Sequence, residues 1–285
     1  MPRAPLFRYS FLSRFATNPM DHHTPENDAE IADYNRAAWD ASVEKGNEWT
    51  LPVDSETIRR AAAGDWQVVL TPETPVPRDW FGDIAGKRIL CLASGGGQQA
   101  PTFAAAGADV TVFDNSPRQL AQDQFVAQRD GLQLKTVQGD MRDLSCFSDA
   151  QFDLIFNPCS ICFVPTVRDV FAQCSRVAVD GARFLFGFTN PIRFIFDEAA
   201  LENGELLVRH RLPYSDLTHM NESEKKKLHE DAEPFVYSHS LTDLIAGQAA
   251  AGWVLKDMFE DHWSVDRISE FAPMYIATLA TKGIG

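Results

Sequence analysis

Apolar residues in the middle of the chain fall into short continuous runs, and each run is followed by a stretch with helical spacing. The runs cover residues 88–94, 109–114, 134–139, 152–157 and 183–188. The helical stretches between them cover 98–106, 117–129 and 167–179, and Pro117 stands where a helix tolerates proline, in its first turn. Short, fully apolar strands alternating with helices predict a parallel sheet covered on both faces. Ligands of such sheets sit at the carboxyl ends of the strands. Two more strands are predicted at 254–260 and 274–281, after a helix over 241–251 that Gly252 ends.

The regions flanking this alternation are less regular. Upstream, Ile31, Tyr34, Ala38 and Trp39 recur at helical intervals, and 55–63 reads as a second short helix with Ser55 as its N-cap. The proline-rich stretch 71–77 breaks regular structure and marks a boundary. Downstream, 190–240 is of mixed character, with a candidate strand at 206–212 and a polar stretch through Glu233. The expected organisation is a helical cap over 28–83 and an α/β domain over 84–285, with 190–240 inserted as a lid. Residues 1–27 stand apart. The first twenty carry Arg3, Arg8 and Arg14 and no acid before Asp21, a composition shared by disordered leaders and mitochondrial transit peptides, and disorder is the favoured reading.

Composition narrows the function classes. With 45% apolar residues in 285, the chain has enough for a full core, and none of its apolar runs nears the roughly 18 residues of a membrane span. No membrane partner is expected. A net charge of −14 argues against a nucleic-acid partner, because phosphate backbones are met by Lys and Arg that replace released counterions. The run Lys225-Lys226-Lys227 follows Glu222 and Glu224 and reads as a solvated helix face. Five cysteines, Cys91, Cys146, Cys159, Cys162 and Cys174, are an odd count in a long chain and imply a reducing compartment. That compartment is the cytoplasm, or the mitochondrial matrix if the leader is a transit peptide. Cys159 and Cys162 have metal or redox spacing, but neither a second such pair nor a nearby histidine completes a zinc set. They read as apolar packers, and no metal is expected.

Candidate chemistry gathers at three successive strand ends. The first strand runs through Ala93 and Ser94 into Gly95-Gly96-Gly97-Gln98-Gln99, where Gly95-x-Gly97-x-x-Ala100 matches a dinucleotide fingerprint. Glycine there permits a sharp turn and close approach of a ligand to the backbone. The second strand ends in Asp114, whose carboxylate can accept from two ribose hydroxyls while Asn115 or Ser116 caps the next helix. The third ends in Gly139-Asp140-Met141. The joint spacing is more specific than any one element.

In these residues the chain resembles the class I, Rossmann-like S-adenosylmethionine-dependent methyltransferases of the small-molecule type, well over 86–189 and loosely over the last two strands. The resemblance implies an α/β, doubly wound, mostly parallel sheet of seven strands with an antiparallel last strand, and S-adenosyl-L-methionine as cofactor. It implies that Ala93 and Ser94 to Gln99, Gly97 included, lie along the methionine and ribose portions. Asp114, with Asn115 and Ser116 beside it, would hold the ribose hydroxyls. Asp140, following Gly139, would accept from the adenine amino group with Met141 beside the ring, and Asn157-Pro158 would border the transferring methyl. Two departures stand out: Cys91 replaces an acid usual in the first strand, and Ala93 replaces the first motif glycine. Trp39, Lys45, Asn47 and Trp49 are candidates for closing over the methionine end instead. Asn157-Pro158-Cys159-Ser160 partly resembles the Asn-Pro-Pro-aromatic motif of amino-group methyltransferases, but it is broken at two positions, so no DNA-adenine specificity carries over.

Methyl transfer is an in-line displacement at an already activated carbon, so the protein mainly positions the nucleophile and excludes water. A general base is needed only where the acceptor carries a high-pKa proton. Asn157, Asn190 and Tyr34 are the candidate catalytic residues, and Tyr214, His219 and His239 are further candidates for substrate contact. Histidines are more often surface or satisfied core residues, and Asn190, directly after the fifth strand, is the best placed of the later group. The expected partner is a small-molecule methyl acceptor. Two other classes compete. A nicotinamide-dependent oxidoreductase explains the glycines and Asp114 but gives no role to Gly139-Asp140, and the chain lacks a Tyr-x-x-x-Lys pair. A non-catalytic S-adenosylmethionine-binding module takes its footing from Cys91 and Ala93.

Overall fold

A computed structural model describes residues 24–283. Its one sheet has seven strands: β1 (Arg88–Leu92), β2 (Asp109–Asp114), β3 (Leu134–Gln138), β4 (Phe152–Asn157), β5 (Ala178–Thr189), β6 (Trp253–Asp261) and β7 (Tyr275–Lys282). Their order is β3-β2-β1-β4-β5-β7-β6. All run parallel except β7, which is antiparallel to both neighbours. The seven-stranded, doubly wound sheet expected from the sequence is the sheet observed. Winding reverses between β1 and β4, and at such a switch point the strand ends diverge into a crevice.

The helices are α1 (Asp28–Lys45), α2 (Ser55–Ala62), α3 (Gln99–Ala105), α4 (Pro117–Asp130), α5 (Arg168–Val177), α6 (Glu198–Glu202), α7 (Asp216–His219), α8 (Glu222–Asp231) and α9 (Gly247–Ala250). Leu90 and Leu92 of β1 pack into a core with Phe171 of α5, Phe184, Phe186 and Trp253. Ile89 and Cys91 point the other way, toward Phe103 of α3, Trp66, Trp80 and Phe156. Alternate side chains of a strand enter opposite faces, so burial on both faces requires a run with no polar interruption. Each fully buried aliphatic side chain contributes about 1.5–3 kcal/mol. Among the described residues no helix is long and apolar enough to cross a membrane.

Local chemistry sets the element ends. Ser116 caps α4 by accepting from the Gln119 N–H, Pro117 fills its first turn, and Gly131 closes it at φ 70°. The N-cap of α2 is Asp54, one residue before the predicted Ser55, because the Asp54 carboxylate accepts from the Thr57 N–H at 2.8 Å. The helix predicted over 241–251 begins with a π turn, Thr242–Ala246, before α9. The candidate strand at 206–212 does not form. Only an isolated bridge joins Val208 to Phe196, and Leu207 and Val208 are exposed. An apolar run becomes a strand only where a neighbour offers a run of unpaired backbone, and here pairing ends at the bonds from the Asp197 N–H to the Leu207 carbonyl and from the Arg209 and His210 N–H groups to the Ile195 carbonyl.

Segments before and after the parallel sheet meet over the carboxyl ends of its strands. Ile31, Tyr34 and Ala38 of α1 pack with Leu228, Phe235 and Tyr237. Buried Asn35 fastens the joint: its Nδ2 donates to the carbonyls of Phe163 at 2.9 Å and Phe235 at 3.1 Å, and its Oδ1 accepts from the Phe235 N–H at 2.8 Å. The readings made for residues 1–20 lie outside the described residues.

Candidate functional site

Beyond the carboxyl ends of β1 to β4 lies a cavity of about 1190 Å³, part of it open to solvent. Its wall takes Ala93, Ser94, Gly95, Gln98 and Gln99 from the first strand end, and Asp114 and Asn115 from the second. Gly139, Asp140 and Met141 come from the third, and Pro158 from the fourth. Trp39 and Trp49 close it from the N-terminal side.

The chain makes the glycine turn with φ 111° at Gly96 and 74° at Gly97, values a side chain rarely adopts. A Cβ on Gly96 would stand 2.9 Å from the Trp49 carbonyl oxygen, and one on Gly97 2.9 Å from that of Gln122. Close approach is therefore made by the protein's own backbone, where the sequence suggested a ligand. The loop is clasped from the N-terminal side as well: the Val53 N–H donates to the Gly97 carbonyl at 2.9 Å, and Gln98 Nε2 donates to the carbonyls of Glu48 and Leu51.

Asp114 accepts from the N–H of Gly95 and of Ser116, both at 2.9 Å. Burial pushes its carboxyl up to about 6 against the pull of these donors. Asp140 is held by Arg142, whose Nε and Nη2 both reach its carboxylate, while Arg142 Nη1 pairs with Asp28 of α1 at 2.7 Å. The third strand end is thus tied to the start of α1. Ser94 Oγ and Gln119 Oε1 are buried in the cavity wall without a protein hydrogen-bond partner.

Several predicted residues stay away from the cavity. Asn157 is fully buried, its Nδ2 donating to the Leu92 carbonyl and to Ser160 Oγ, both at 2.8 Å, so it locks β4 to β1. Asn190 caps the turn Pro191–Ile195 and donates to the Pro273 carbonyl. Tyr34 packs on Phe235 inside the cap. Gly97 faces α4, and the Ser116 hydroxyl donates to Asp40. Each is drawn off by a local structural partner. Lys45 reaches the Asp231 carbonyl, and Asn47 caps the turn Glu48–Thr50. Buried His239 is satisfied by the Ile161 carbonyl, and His219 turns back on Ser215. Sequence reasoning missed Asn35, Gln119, Arg142 and Ser160 in the wall. Asn35 carried a signal, a polar residue on the apolar stripe of Ile31, Tyr34 and Ala38.

Comparison with known proteins shows the family to which the chain belongs. Residues 90–186 match the family described as a methyltransferase domain. The uncharacterized methyltransferase YbaJ of Bacillus subtilis is 44% identical over 249 residues, which span 87% of this chain and 97% of that protein. The chain belongs to the methyltransferases. Solved structures share the fold. An S-adenosylmethionine-dependent methyltransferase from Mesorhizobium loti gives a TM-score of 0.56 at 16% identity, over 72% of this chain and 95% of its own. The 1,6-didemethyltoxoflavin-N1-methyltransferase of Burkholderia thailandensis gives 0.55 at 18%, over 93% and 94%.

The departures of this methyltransferase from the family pattern have physical readings. Ala93 stands at φ 44°, so the alanine holds the left-handed conformation that a glycine adopts more easily. Cys91 is fully buried, and burial pushes its thiol well up, leaving it neutral. An acid does stand beneath the loop, supplied by α4: Asp123, fully buried, accepts from the Gly96 N–H at 3.1 Å. Burial, then the neighbouring Asp114, push its carboxyl well up.

Proposed function

We propose that this methyltransferase moves the methyl group of S-adenosylmethionine to a small-molecule acceptor, with the cofactor in the cavity at the strand ends. The observation that carries the reading is the convergence there of Ser94, Gly95, Gln98, Gln99, Asp114 and Asp140 around two buried, unpartnered polar atoms, Ser94 Oγ and Gln119 Oε1. In this reading the glycine loop lies along the methionine and ribose portions, Asp114 accepts from the ribose hydroxyls, and Asp140 and Met141 meet the adenine. Arg142 takes three of the roughly four acceptor sites of the Asp140 carboxylate through its backbone N–H, Nε and Nη2, which leaves about one for a ligand. Bound cofactor supplies an electrophilic methyl, whose C–S bond breaks toward sulfur as the acceptor's lone pair forms the new bond. Pro158 to Ser160 border that point. With Asn157, Asn190 and Tyr34 engaged elsewhere, the chain's part is to orient the acceptor and keep water out. The concave cavity and the charge of −14 favour a small acceptor over a phosphate polymer, and a cytoplasmic setting suits the free thiols.

Calorimetric titration with S-adenosylmethionine and S-adenosylhomocysteine, with NAD as control, tests the assignment. Asp114→Asn and Asp140→Ala should each weaken cofactor binding about ten- to a hundredfold, the loss of a hydrogen bond to a charged group. Wild-type affinity in both variants would refute the site. Binding without turnover across an acceptor library would leave a non-catalytic binding module as the better reading.

A further inference from the structure

The cofactor cavity shares Trp39, Trp49 and Phe163 with a second chamber of about 880 Å³. Beyond that wall the chamber presents Phe194, Phe196 and Tyr214. The Phe194 and Tyr214 rings are stacked at 5.9 Å, and His210 lies 4.8 Å from Tyr214. A third cavity, of about 690 Å³ beside α8, shares Glu198, His210, Tyr214 and Glu233 with the chamber. The three therefore adjoin in series, from the glycine loop past the aromatic faces to an outer vestibule.

Among the described residues, five carboxylates line the two outer cavities, against two guanidinium groups and one ammonium, an excess of two negative charges. Arg193, the one cation among the described residues of the chamber, is buried between two acids, with Glu198 at 3.0 Å and Asp266 at 3.1 Å. It has no charge to spare for an anion. Burial, aided by Arg209, lowers the pKa of His210, which keeps the ring neutral and adds no cation at the junction.

The geometry points to this chamber as the acceptor site, filled through the acidic vestibule and shaped for a planar aromatic acceptor that is uncharged or cationic, such as a heteroaromatic amine. The inference rests on the cofactor assignment above. Aromatic walls receive a planar ring by stacking and edge contacts, and their faces attract positive charge. The excess of carboxylates steers cations inward and turns carboxylates and phosphates away. The reaction strengthens the match. When a neutral ring nitrogen gives its lone pair to the methyl carbon, the C–S electron pair stays on sulfur and the positive charge passes to the acceptor. Charge then develops where aromatic faces and carboxylates stabilise it.

The test uses full-length protein saturated with S-adenosylhomocysteine, titrated calorimetrically with 4-aminoquinoline and with quinoline-4-carboxylate, one ring system with opposite charges. The aminoquinoline should bind at least about tenfold tighter than the carboxylate. Phe194→Ala and Glu233→Gln, on separate parts of the wall, should each weaken it about threefold or more, with S-adenosylhomocysteine affinity unchanged. Equal binding of the two probes, binding of neither, or wild-type affinity in both variants would overturn the acceptor assignment. Failure of the wild-type protein to bind S-adenosylhomocysteine would instead strike the cofactor reading on which it rests.

Discussion

Two acids lie under one glycine loop, and they answer to pH differently from surface carboxylates. Asp123 is fully buried and gives one oxygen to the Gly96 N–H, while its other oxygen has no hydrogen-bond partner. Its folded pKa lies well above the ordinary 3.8, so the folded state prefers the proton. The stability this contributes is full below that ordinary value and is lost as pH rises through the folded one. Asp123→Asn keeps an acceptor for Gly96 and removes the ionisation. The variant should unfold at the wild-type temperature near pH 4 and a few degrees higher at pH 8, read by calorimetric melting. A gain independent of pH, or a loss at pH 8, would show that Asp123 does not ionise at a cost to the fold. Asp114 and Asp140 were legible in the sequence because each ends an apolar strand, where position fixes direction. Asp123 was not, since an acid in a helix reveals its burial only once that helix's packed face is known.

Elements show the same division. The inner strands of the sheet could be read because burial on both faces leaves a nearly unbroken apolar run, while the edge strands β3 and β6, largely exposed, were read from their β-rich composition; β5 alone begins as much as five residues before its predicted bound. The segment 206–212 has a similar apolar character, yet Val208 remains exposed for want of a partner edge. Pairing is a tertiary fact that composition does not carry. The joint between α1 and the later segment is likewise tertiary, and it turns on Asn35. Asn35→Leu is close in size but strands two carbonyls and the Phe235 N–H, a penalty of about 1–3 kcal/mol for each buried group left unpaired. Because the strain falls at the joint, hydrogen exchange should quicken across α1 and around Phe235 while β1 and β4 keep their protection. Unchanged exchange in α1 would mean that the apolar cluster of Ile31, Tyr34 and Phe235 holds the joint without Asn35.

At the scale of the molecule, the cavity at the strand ends is walled by chain regions far apart in sequence, from Ile31 of α1 to Val164 after β4. Arg142 links two of them by bridging Asp140 to Asp28, and Asn35 links α1 to Phe163 and Phe235. A ligand that touches these regions together must stabilise them together. At a hundred times its Kd, S-adenosylhomocysteine should add about 2.7 kcal/mol, which for a chain of this size raises Tm by roughly 5 °C or more. The gain should be distributed by contact: exchange should slow in the glycine loop and at Asp140 to Arg142, and equally in α1, although α1 belongs to no strand of the sheet. A higher Tm with α1 exchanging as before would separate two things that the structure joins, the strand ends proposed to bind the cofactor and the helix that packs over them. Closure would then depend on the acceptor, and turnover would require both ligands before water is shut out.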